Sequence, residues 1–141
     1  NEENGNRGGK HYASMVRKTG EKHLFALESD RGGFSPRGFS IDGTKIQLEY
    51  LQSFEKLFKP YQLHVFSKGY SGVDIGPLKD GKLCLVGLIP DSQRYFDFHH
   101  SKADVFENVH KRELELGASA ISSIVYLVDK YGLPENKSLK K

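Results

Sequence analysis

The sequence predicts an α/β fold with three layers, in which helices cover both faces of a mostly parallel central sheet. Short apolar runs that suit buried strands alternate along the chain with amphipathic segments that suit helices. The 141 residues, 37% of them apolar, are enough for one globular domain with a sizeable core. We therefore treat residues 1–141 as one domain and expect 133–141, which contain the polar K-S-L-K-K, to form a frayed tail.

The first predicted helix follows a Gly-rich opening. The spacing of apolar residues over 9–17 favours a helix, and Gly20 is a suitable residue to end it. Tyr12, Met15 and Val16 are the expected core contacts of this helix. The first element of the chain is thus predicted to be helical rather than extended.

Two strands and a second helix are predicted next. The short apolar run 23–27 suits a buried strand, and the glycines and proline of 31–39 predict a loop after it. Thr44 is the expected N-cap of a long helix that stops at Pro60, and 63–66 suits another strand. The apolar face of the long helix comprises Ile46, Leu48, Leu51, Phe54, Leu57 and Phe58.

The remaining chain contains a loop, a strong strand and a final helix. The glycines of 68–78 predict a loop, and the nearly continuous apolar run 83–89 predicts a strand in which Cys84 is a small buried hydrophobe. The segment 90–103 is polar, aromatic and rich in histidine, and a helix is expected over 111–130. Its broad apolar face comprises Leu114, Leu116, Ala120, Ile121, Ile124, Val125 and Val128.

Composition excludes several functional classes. The net charge is +3 with mixed signs, and no basic stripe is interleaved with stacking aromatics, which argues against nucleic-acid binding. No apolar run approaches the roughly 18 residues of a membrane helix. A single cysteine excludes an internal disulfide framework and a multi-cysteine zinc cluster. No targeting signal is visible, so the sequence indicates no cellular compartment.

Three places concentrate side chains of the metal-ligand type: Glu2-Glu3, Asp30 and His99-His100. Each is expected beside the end of a core strand, where sites gather in open α/β sheets, so we expect Glu3, Asp30 and His100 to converge. Adjacent carboxylates are ordinarily surface charges, however, and an Asp after a strand ordinarily forms a turn. Neighbouring histidines of an extended segment point to opposite sides, so at most one is expected to bind metal.

Together these residues suggest a zinc site built from carboxylates and one imidazole, in which an unligated carboxylate accepts a proton from water. Spacing alone does not prove such a site. The sequence contains no H-E-x-x-H, P-loop, G-x-S-x-G or dinucleotide-binding motif.

Three motifs resemble the zinc peptidases of family M twenty-eight, which includes co-catalytic zinc aminopeptidases and carboxypeptidase Q-like enzymes. They are N-E-E-N-G-N-R-G-G-K-H-Y-A, A-L-E-S-D-R-G-G-F-S-P-R-G-F and P-D-S-Q-R-Y-F-D-F-H-H-S-K-A-D-V-F-E-N-V, and the resemblance continues through R-E-L-E-L-G-A. It implies an exopeptidase that hydrolyses peptide substrates with two zinc ions. The resemblance, and no other feature of the sequence, also suggests a secreted or periplasmic location.

The resemblance implies a role for each matching residue. Glu2 corresponds to the general base that deprotonates a zinc-bound water, and Glu3 to a ligand of one zinc ion. Asp30 corresponds to a ligand of the other zinc ion. His100 corresponds to the second ligand of the zinc held by Glu3, and Asp104 is a candidate for holding such a ligand in place. These roles follow from the resemblance alone.

Other residues near the motifs receive no metal role. His99 is expected to be structural, and Tyr70 and Asp74, which fall in a loop resembling the substrate side of the family's site, are assigned none. Members of the family also use a histidine and a metal-bridging aspartate upstream of the Glu-Glu pair, and this sequence contains no match to them.

The chain is therefore expected to be the C-terminal portion of a zinc peptidase catalytic domain, without the first strands of the sheet. On its own it is expected to be inactive and to self-associate through an exposed sheet edge. Two other interpretations remain open. In the first, the chain is a non-catalytic binding or interaction module that retains the peptidase fold. In the second, it is a plain structural α/β module.

Overall fold

A computed structural model describes residues 2–134, which fold around a four-stranded open sheet. Its strands are β1 (Phe25–Glu28), β2 (Pro36–Asp42), β3 (Val65–Lys68) and β4 (Cys84–Pro90). Their order is β1-β4-β2-β3; β1 runs parallel to β4 and β2 parallel to β3, whereas β2 and β4 are antiparallel. The predicted α/β class with a mostly parallel sheet is confirmed. Most of the expected tail, 135–141, lies outside the described residues.

Five α-helices accompany the sheet within residues 2–134. They are α1 (Arg7–Thr19), α2 (Lys45–Gln52), α3 (Glu55–Phe58), α4 (Tyr95–Phe98) and α5 (Lys111–Tyr131). Short 3₁₀ turns occupy Glu2–Asn4, Lys59–Tyr61, Gly76–Leu78 and Phe106–Asn108. In this part of the chain, no helix combines the length and apolar character needed to cross a bilayer.

One face of the sheet packs against three of the helices. The core there combines strand and helix residues, namely Phe39, Ile41, Phe66, Cys84, Val86, Leu88, Leu51, Phe58, Ala120 and Ile124. The ring of Phe39 contacts those of Phe58 and Phe66, with centroids 5.7 and 5.4 Å apart. Burial raises the pKa of the Cys84 thiol to about 12, so Cys84 is the small buried hydrophobe that the sequence predicts.

The opposite face of the sheet is covered by a loop that also contacts α1. Ser40 Oγ donates a hydrogen bond to the Tyr70 carbonyl at 2.7 Å, and the carboxylate of Glu28 accepts from the backbone N–H groups of Asp74 and Ile75. A Cβ added at Gly9 of α1 would lie 2.7 Å from the Asp74 carbonyl oxygen. Helix α1 therefore covers this face through the loop rather than directly.

The strand β2 contradicts the prediction of a loop over 31–39. Pro36 is the first residue of the strand, a position that tolerates a residue without a backbone N–H. A register irregularity lies between Pro36 and Gly38. Gly38 adopts φ +148°, and a Cβ there would overlap the carbonyl of Val65 on β3. The residues that signalled a loop are those that admit a bulge and a close backbone approach within the sheet.

The single long helix predicted after Thr44 is wrong beyond its first half. The N-cap itself is confirmed, because Thr44 Oγ1 accepts from the N–H of Gln47 while Gln47 Oε1 accepts from the N–H of Thr44. The helix ends at Gln52, and Ser53 Oγ donates to the Tyr50 carbonyl at 2.6 Å. This side-chain bond competes with continued helix, and α3 begins again at Glu55.

The sequence also misplaces part of the buried surface of the two long helices. Tyr12 and Met15 are 48% and 41% exposed, whereas Ala13 is the buried residue of α1. On α5, Leu114 and Val125 are half exposed although they belong to the predicted apolar face. Helix periodicity shows that a stripe is apolar, but the packing partner decides which side of the stripe is covered.

Candidate active site

The carboxyl ends of β1 and β4 lie at the same edge of the sheet because the two strands are parallel. Asp30 follows β1 by two residues, and the chain after β4 leads through α4 to His100. A cleft of about 530 Å³ opens at this edge. It is lined by all five residues for which the resemblance implies a role, namely Glu2, Glu3, Asp30, His100 and Asp104.

Glu3 and His100 are in direct contact although 97 positions separate them. Glu3 Oε1 lies 3.1 Å from His100 Nε2. Their side chains are 71% and 63% exposed, so water screens this pair and its contribution to stability is small. The contact is therefore a screened hydrogen bond at the surface of the cleft and does not hold the fold together.

Glu2 and Asp30 line the same cleft from two further segments. Glu2 is half-buried in the 3₁₀ turn Glu2–Asn4, directly before Glu3. Asp30 is exposed, and within residues 2–134 its carboxylate has no hydrogen-bond partner. The carboxylate of Asp104, at another point of the cleft, likewise makes no hydrogen bond to Glu3, Asp30 or His100 in the described part of the chain. The roles of all these residues stay predictions.

The two neighbouring histidines do not point to opposite sides. Residue His100 adopts φ +54°, a left-handed backbone conformation, and both rings line the cleft. The His99 ring stacks on that of His100, with centroids 3.9 Å apart, and on that of Tyr95 at 4.6 Å. The expectation assumed an extended segment, but the chain here is leaving α4, so the alternation of a strand does not apply.

Tyr70 lies within electrostatic range of the carboxylates, although the sequence gave it no role. Partial burial raises the pKa of Tyr70, and the negative charges of Glu28, Asp30 and Glu2 raise it further. A phenol with a raised pKa stays protonated at neutral pH and remains a hydrogen-bond donor. The Gly-rich loop pattern predicted the segment but contained no signal for this proximity.

Glu113 is a cleft residue that sequence reasoning missed. Its carboxylate accepts from Ser35 Oγ at 2.7 Å and from Arg94 Nη2 at 3.3 Å, and it thereby links the loop before β2, the segment after β4 and helix α5. His110 Nδ1 caps α5 by accepting from the Glu113 N–H at 3.4 Å. In the sequence, Glu113 is one of several charges at the start of a helix, and only the fold shows that it lines a cleft.

Apolar side chains also line the cleft. The residues concerned are Phe34, Phe98, Val73, Val105 and Val109. The rings of Phe34 and Phe98 contact each other with centroids 5.8 Å apart, and the guanidinium of Arg94 lies 5.3 Å from the Phe34 centroid. The cleft is thus lined by carboxylates and imidazoles together with apolar side chains.

The donor set fits zinc in part. Ligands at the usual zinc distances of about 2.0–2.2 Å in a tetrahedron lie roughly 3.4 Å from each other, close to the 3.1 Å between Glu3 Oε1 and His100 Nε2. However, no three His, Cys, Asp or Glu side chains of residues 2–134 are placed so that together they could hold a metal ion. The described residues therefore supply a ligand pair and a separate carboxylate, but no complete coordination shell.

Comparison with known proteins shows similarity to carboxypeptidase Q. The chain is 24% identical to carboxypeptidase Q of Bos taurus over 127 residues, 27% identical to that of Mus musculus over 128 residues and 26% identical to that of Homo sapiens over 128 residues. Each match covers 90% of this chain and 27% of the relative, so the chain spans about a quarter of the length of these relatives. The resemblance that the three motifs indicate is confirmed. No protein-family model matches, and no solved structure matches.

Proposed function

We propose that this chain forms part of the active site of a zinc-dependent exopeptidase, which hydrolyses a peptide bond at the end of a peptide chain. One observation carries the proposal: Glu3 and His100 meet at 3.1 Å in the cleft that Glu2 and Asp30 also line. The similarity to carboxypeptidase Q supports it, and Glu2, Glu3, Asp30 and His100 lie in the motifs that resemble the zinc peptidases. The alternative of a plain structural module would leave the convergence of these side chains without a reason.

On this proposal, Glu3 and His100 would hold one zinc ion and Asp30 would hold the other. Two bound zinc ions would lower the pKa of the attacking water and stabilise the negative charge that develops on the carbonyl oxygen of the substrate. Further ligands from the longer protein would complete both shells, since zinc sites that hydrolyse bonds normally have three protein ligands each.

Glu2 is the proposed general base. Successive residues of a 3₁₀ turn point about 120° apart, so Glu2 and Glu3 direct their carboxylates to different places although they are adjacent. This arrangement lets Glu3 bind a metal while Glu2 stays unligated and accepts a proton from the attacking water. Glu2 would then return the proton to the leaving amine.

The apolar side chains that line the cleft are the proposed contact surface for the substrate. Phe34, Phe98, Val105 and Val109 face the same space as the ligand-type residues, so a substrate bound there would place a side chain against them. The proposed substrate is a peptide.

Two variants of the longer protein that contains this chain test the assignment. Glu2→Gln removes the proton acceptor but keeps the shape, so zinc content should stay at the wild-type level while turnover of terminal peptide bonds falls about 10²–10⁴-fold. His100→Ala should instead lose zinc, measured by elemental mass spectrometry. The matched control is Glu107→Gln, since Glu107 is exposed and does not line the cleft. Hydrolysis by the Glu2→Gln variant at the wild-type rate would eliminate Glu2 as the base.

A second candidate function is a non-catalytic binding or interaction module that retains the peptidase fold. The observation that favours it is the incomplete ligand set of residues 2–134. The two candidates differ in the longer protein, where the enzyme binds zinc and hydrolyses peptides while the module binds a partner without turnover. Zinc content and peptidase activity measured on the same sample distinguish them.

We also propose that the isolated chain self-associates through β1. This strand pairs only with β4, so its other edge is open among the described residues. The opposite edge strand, β3, is better protected, because Gln52 Nε2 donates to the Phe66 carbonyl and the strand ends in Lys68. Strand addition at β1 is therefore the expected mode of association.

A further inference from the structure

Helix α1 carries an unusual concentration of positive charge. Arg7, Lys10, Arg17 and Lys18 are all exposed, and the 13-residue helix contains no acidic residue. The rest of the described chain contains more acidic than basic residues. The positive charge of the described part of the molecule is therefore local to α1 and is not a property of its whole surface.

These four charges are not compensated within the described residues. None of the ion pairs there involves a residue of α1. Arg17 Nη2 donates to the Pro77 carbonyl at 2.6 Å and Lys10 Nζ to the Gly5 carbonyl at 2.9 Å, which positions both groups without neutralising them. Arg7 and Lys18 have no side-chain partner in this part of the chain.

The four cations, Arg7, Lys10, Arg17 and Lys18, form a row along one side of the helix. At 100° and 1.5 Å per residue, they fall within an arc of about 100° and extend over about 16 Å of the helix axis. The buried Ala13 lies just outside this arc, about 40° beyond Arg17, and Gly9, which is close to the Asp74 carbonyl, lies about 40° further on. Met15, 41% exposed, lies beside the row of cations. The outward surface of α1 is thus elongated, basic and bordered by an exposed apolar side chain.

We propose that this face of α1 docks on an anionic lipid bilayer, with the helix lying in the plane of the membrane surface. A small anion is bound by donors that converge on one point, whereas these exposed cations are spread along the helix axis, an arrangement that an extended charged plane complements. The exposed thioether of Met15 can enter the interface beside the charges. The inference does not depend on the proposed peptidase activity, because no residue of the cleft takes part.

Docking in this way has a consequence for the cleft. Arg7 begins α1 only four residues after Glu3, so a docked helix keeps the edge of the sheet that carries the site close to the membrane. The substrates available to the site would then include peptides at that surface.

The test uses the complete 141-residue chain and phosphatidylcholine vesicles prepared with and without phosphatidylserine. The variant Arg7→Gln/Lys18→Gln removes two cations that have no structural contact, and circular dichroism verifies that it folds. The matched control is Lys56→Gln/Lys59→Gln, which removes two exposed cations outside α1 that form no ion pair in the described chain. Co-flotation at several vesicle concentrations gives the affinity of each form.

We expect binding only to the vesicles that contain phosphatidylserine, weakened by added salt. The α1 variant should bind roughly 10- to 30-fold more weakly, and the control should match the unmodified chain. Equal binding to neutral vesicles, or an equal loss in both variants, would overturn the proposal. So would α1-dependent binding to poly-glutamate that exceeds binding to the vesicles, because it would assign the face to an acidic protein partner.

Discussion

At the scale of single residues, the ion pair of Arg37 and Asp91 connects the start of β2 to the end of β4. Arg37 Nη2 lies 2.8 Å from Asp91 Oδ2, and the N–H of Gln93 also donates to this carboxylate. The arginine hydrogen bond, helped by the Gln93 N–H, lowers the pKa of Asp91 below its ordinary value. The pair lies beside the loop before β2: the Asp91 N–H donates to the Ser35 carbonyl, and the preceding residue, Phe34, lines the cleft.

This shift predicts a pH dependence of stability. Because the pKa of Asp91 is lower in the folded state than in the unfolded state, its stabilising effect is present above about pH 4 and is lost as the pH falls through the folded-state pKa. Asp91→Asn should therefore unfold at lower urea concentration than wild type at pH 7, and the difference should shrink at pH 3. The control Asp129→Asn, at an exposed residue of α5, should show no such convergence. A constant difference at both pH values would contradict the assignment.

At the scale of elements, β2 is the strand on which the sheet depends. It pairs with β4 on one side and β3 on the other, and Phe39 and Ile41 lie in the core. Its path past β3 requires the absence of a side chain at Gly38, where the backbone of Val65 is in close contact. A strand that looks like a loop in the sequence is thus one of the two inner strands of the described sheet.

A substitution at this position should be costly. Gly38→Ala introduces a Cβ that overlaps backbone rather than a movable side chain, at a φ that an L-residue rarely adopts, so we expect a loss of roughly 2–4 kcal/mol of unfolding free energy. Gly8→Ala is the matched control, because Gly8 lies in α1 with no atom within 4 Å of the added Cβ. Alanine there should be neutral or stabilising. Denaturant unfolding of both variants measures the effect, and equal stability of the two would refute the steric argument.

At the scale of the whole molecule, the site is shared between distant parts of the chain and is incomplete within residues 2–134. Glu3 lies at the start of the described chain, His100 follows 97 positions later, and Asp30 comes from a third segment. The chain matches only 27% of the length of its curated relatives. These observations together predict how the isolated chain behaves.

The isolated 141-residue chain should bind zinc weakly and show no peptidase activity. Two protein ligands for one ion and one for the other fall short of the three that hydrolytic zinc sites normally have. Zinc titration by calorimetry, with aminoacyl and dipeptide substrates assayed in parallel, measures both properties. Stoichiometric binding of two zinc ions with turnover would show that the chain itself supplies the missing ligands, and the assignment of Glu2 and Glu3 would then be wrong.

The isolated chain should also self-associate in a concentration-dependent way, because the outer edge of β1 is open in the described structure. Leu24, 79% exposed directly before this strand, extends the apolar edge. Leu24→Glu should weaken association in sedimentation velocity, whereas Leu57→Glu, at an exposed position of α3, should not. A strictly monomeric chain at high concentration would show that this edge is not a pairing surface.

Patterns in the sequence identified β1, β3, β4 and the start of each long helix, the N-cap at Thr44 and the motifs that resemble a peptidase family, but the predicted alternation of strands and helices is wrong because β1 is followed directly by β2 and β3 by β4. The elements and the cap are local, so periodicity and residue type suffice to identify them, whereas the motifs are recognised only by their resemblance to the family. The same limits explain why β2 was predicted to be a loop: its Pro36 and Gly38 favour turns locally, and only pairing with β3 and β4 makes them strand residues.

The tertiary structure alone decided which side chains meet. The contact of Glu3 with His100 spans 97 positions. The parallel strands β1 and β4 bring the segments of Asp30 and His100 to one edge, and the docking of the chain before α1, where Asn6 donates to the Val73 carbonyl, brings Glu3 there. Both neighbouring histidines face the cleft because His100 has a left-handed backbone, which no pattern of residue types specifies. Glu113 likewise lines the cleft only because α5 packs beside the segments that follow β1 and β4. Local sequence sets the elements, but long-range packing, which sums many weak contacts, sets the geometry of the site.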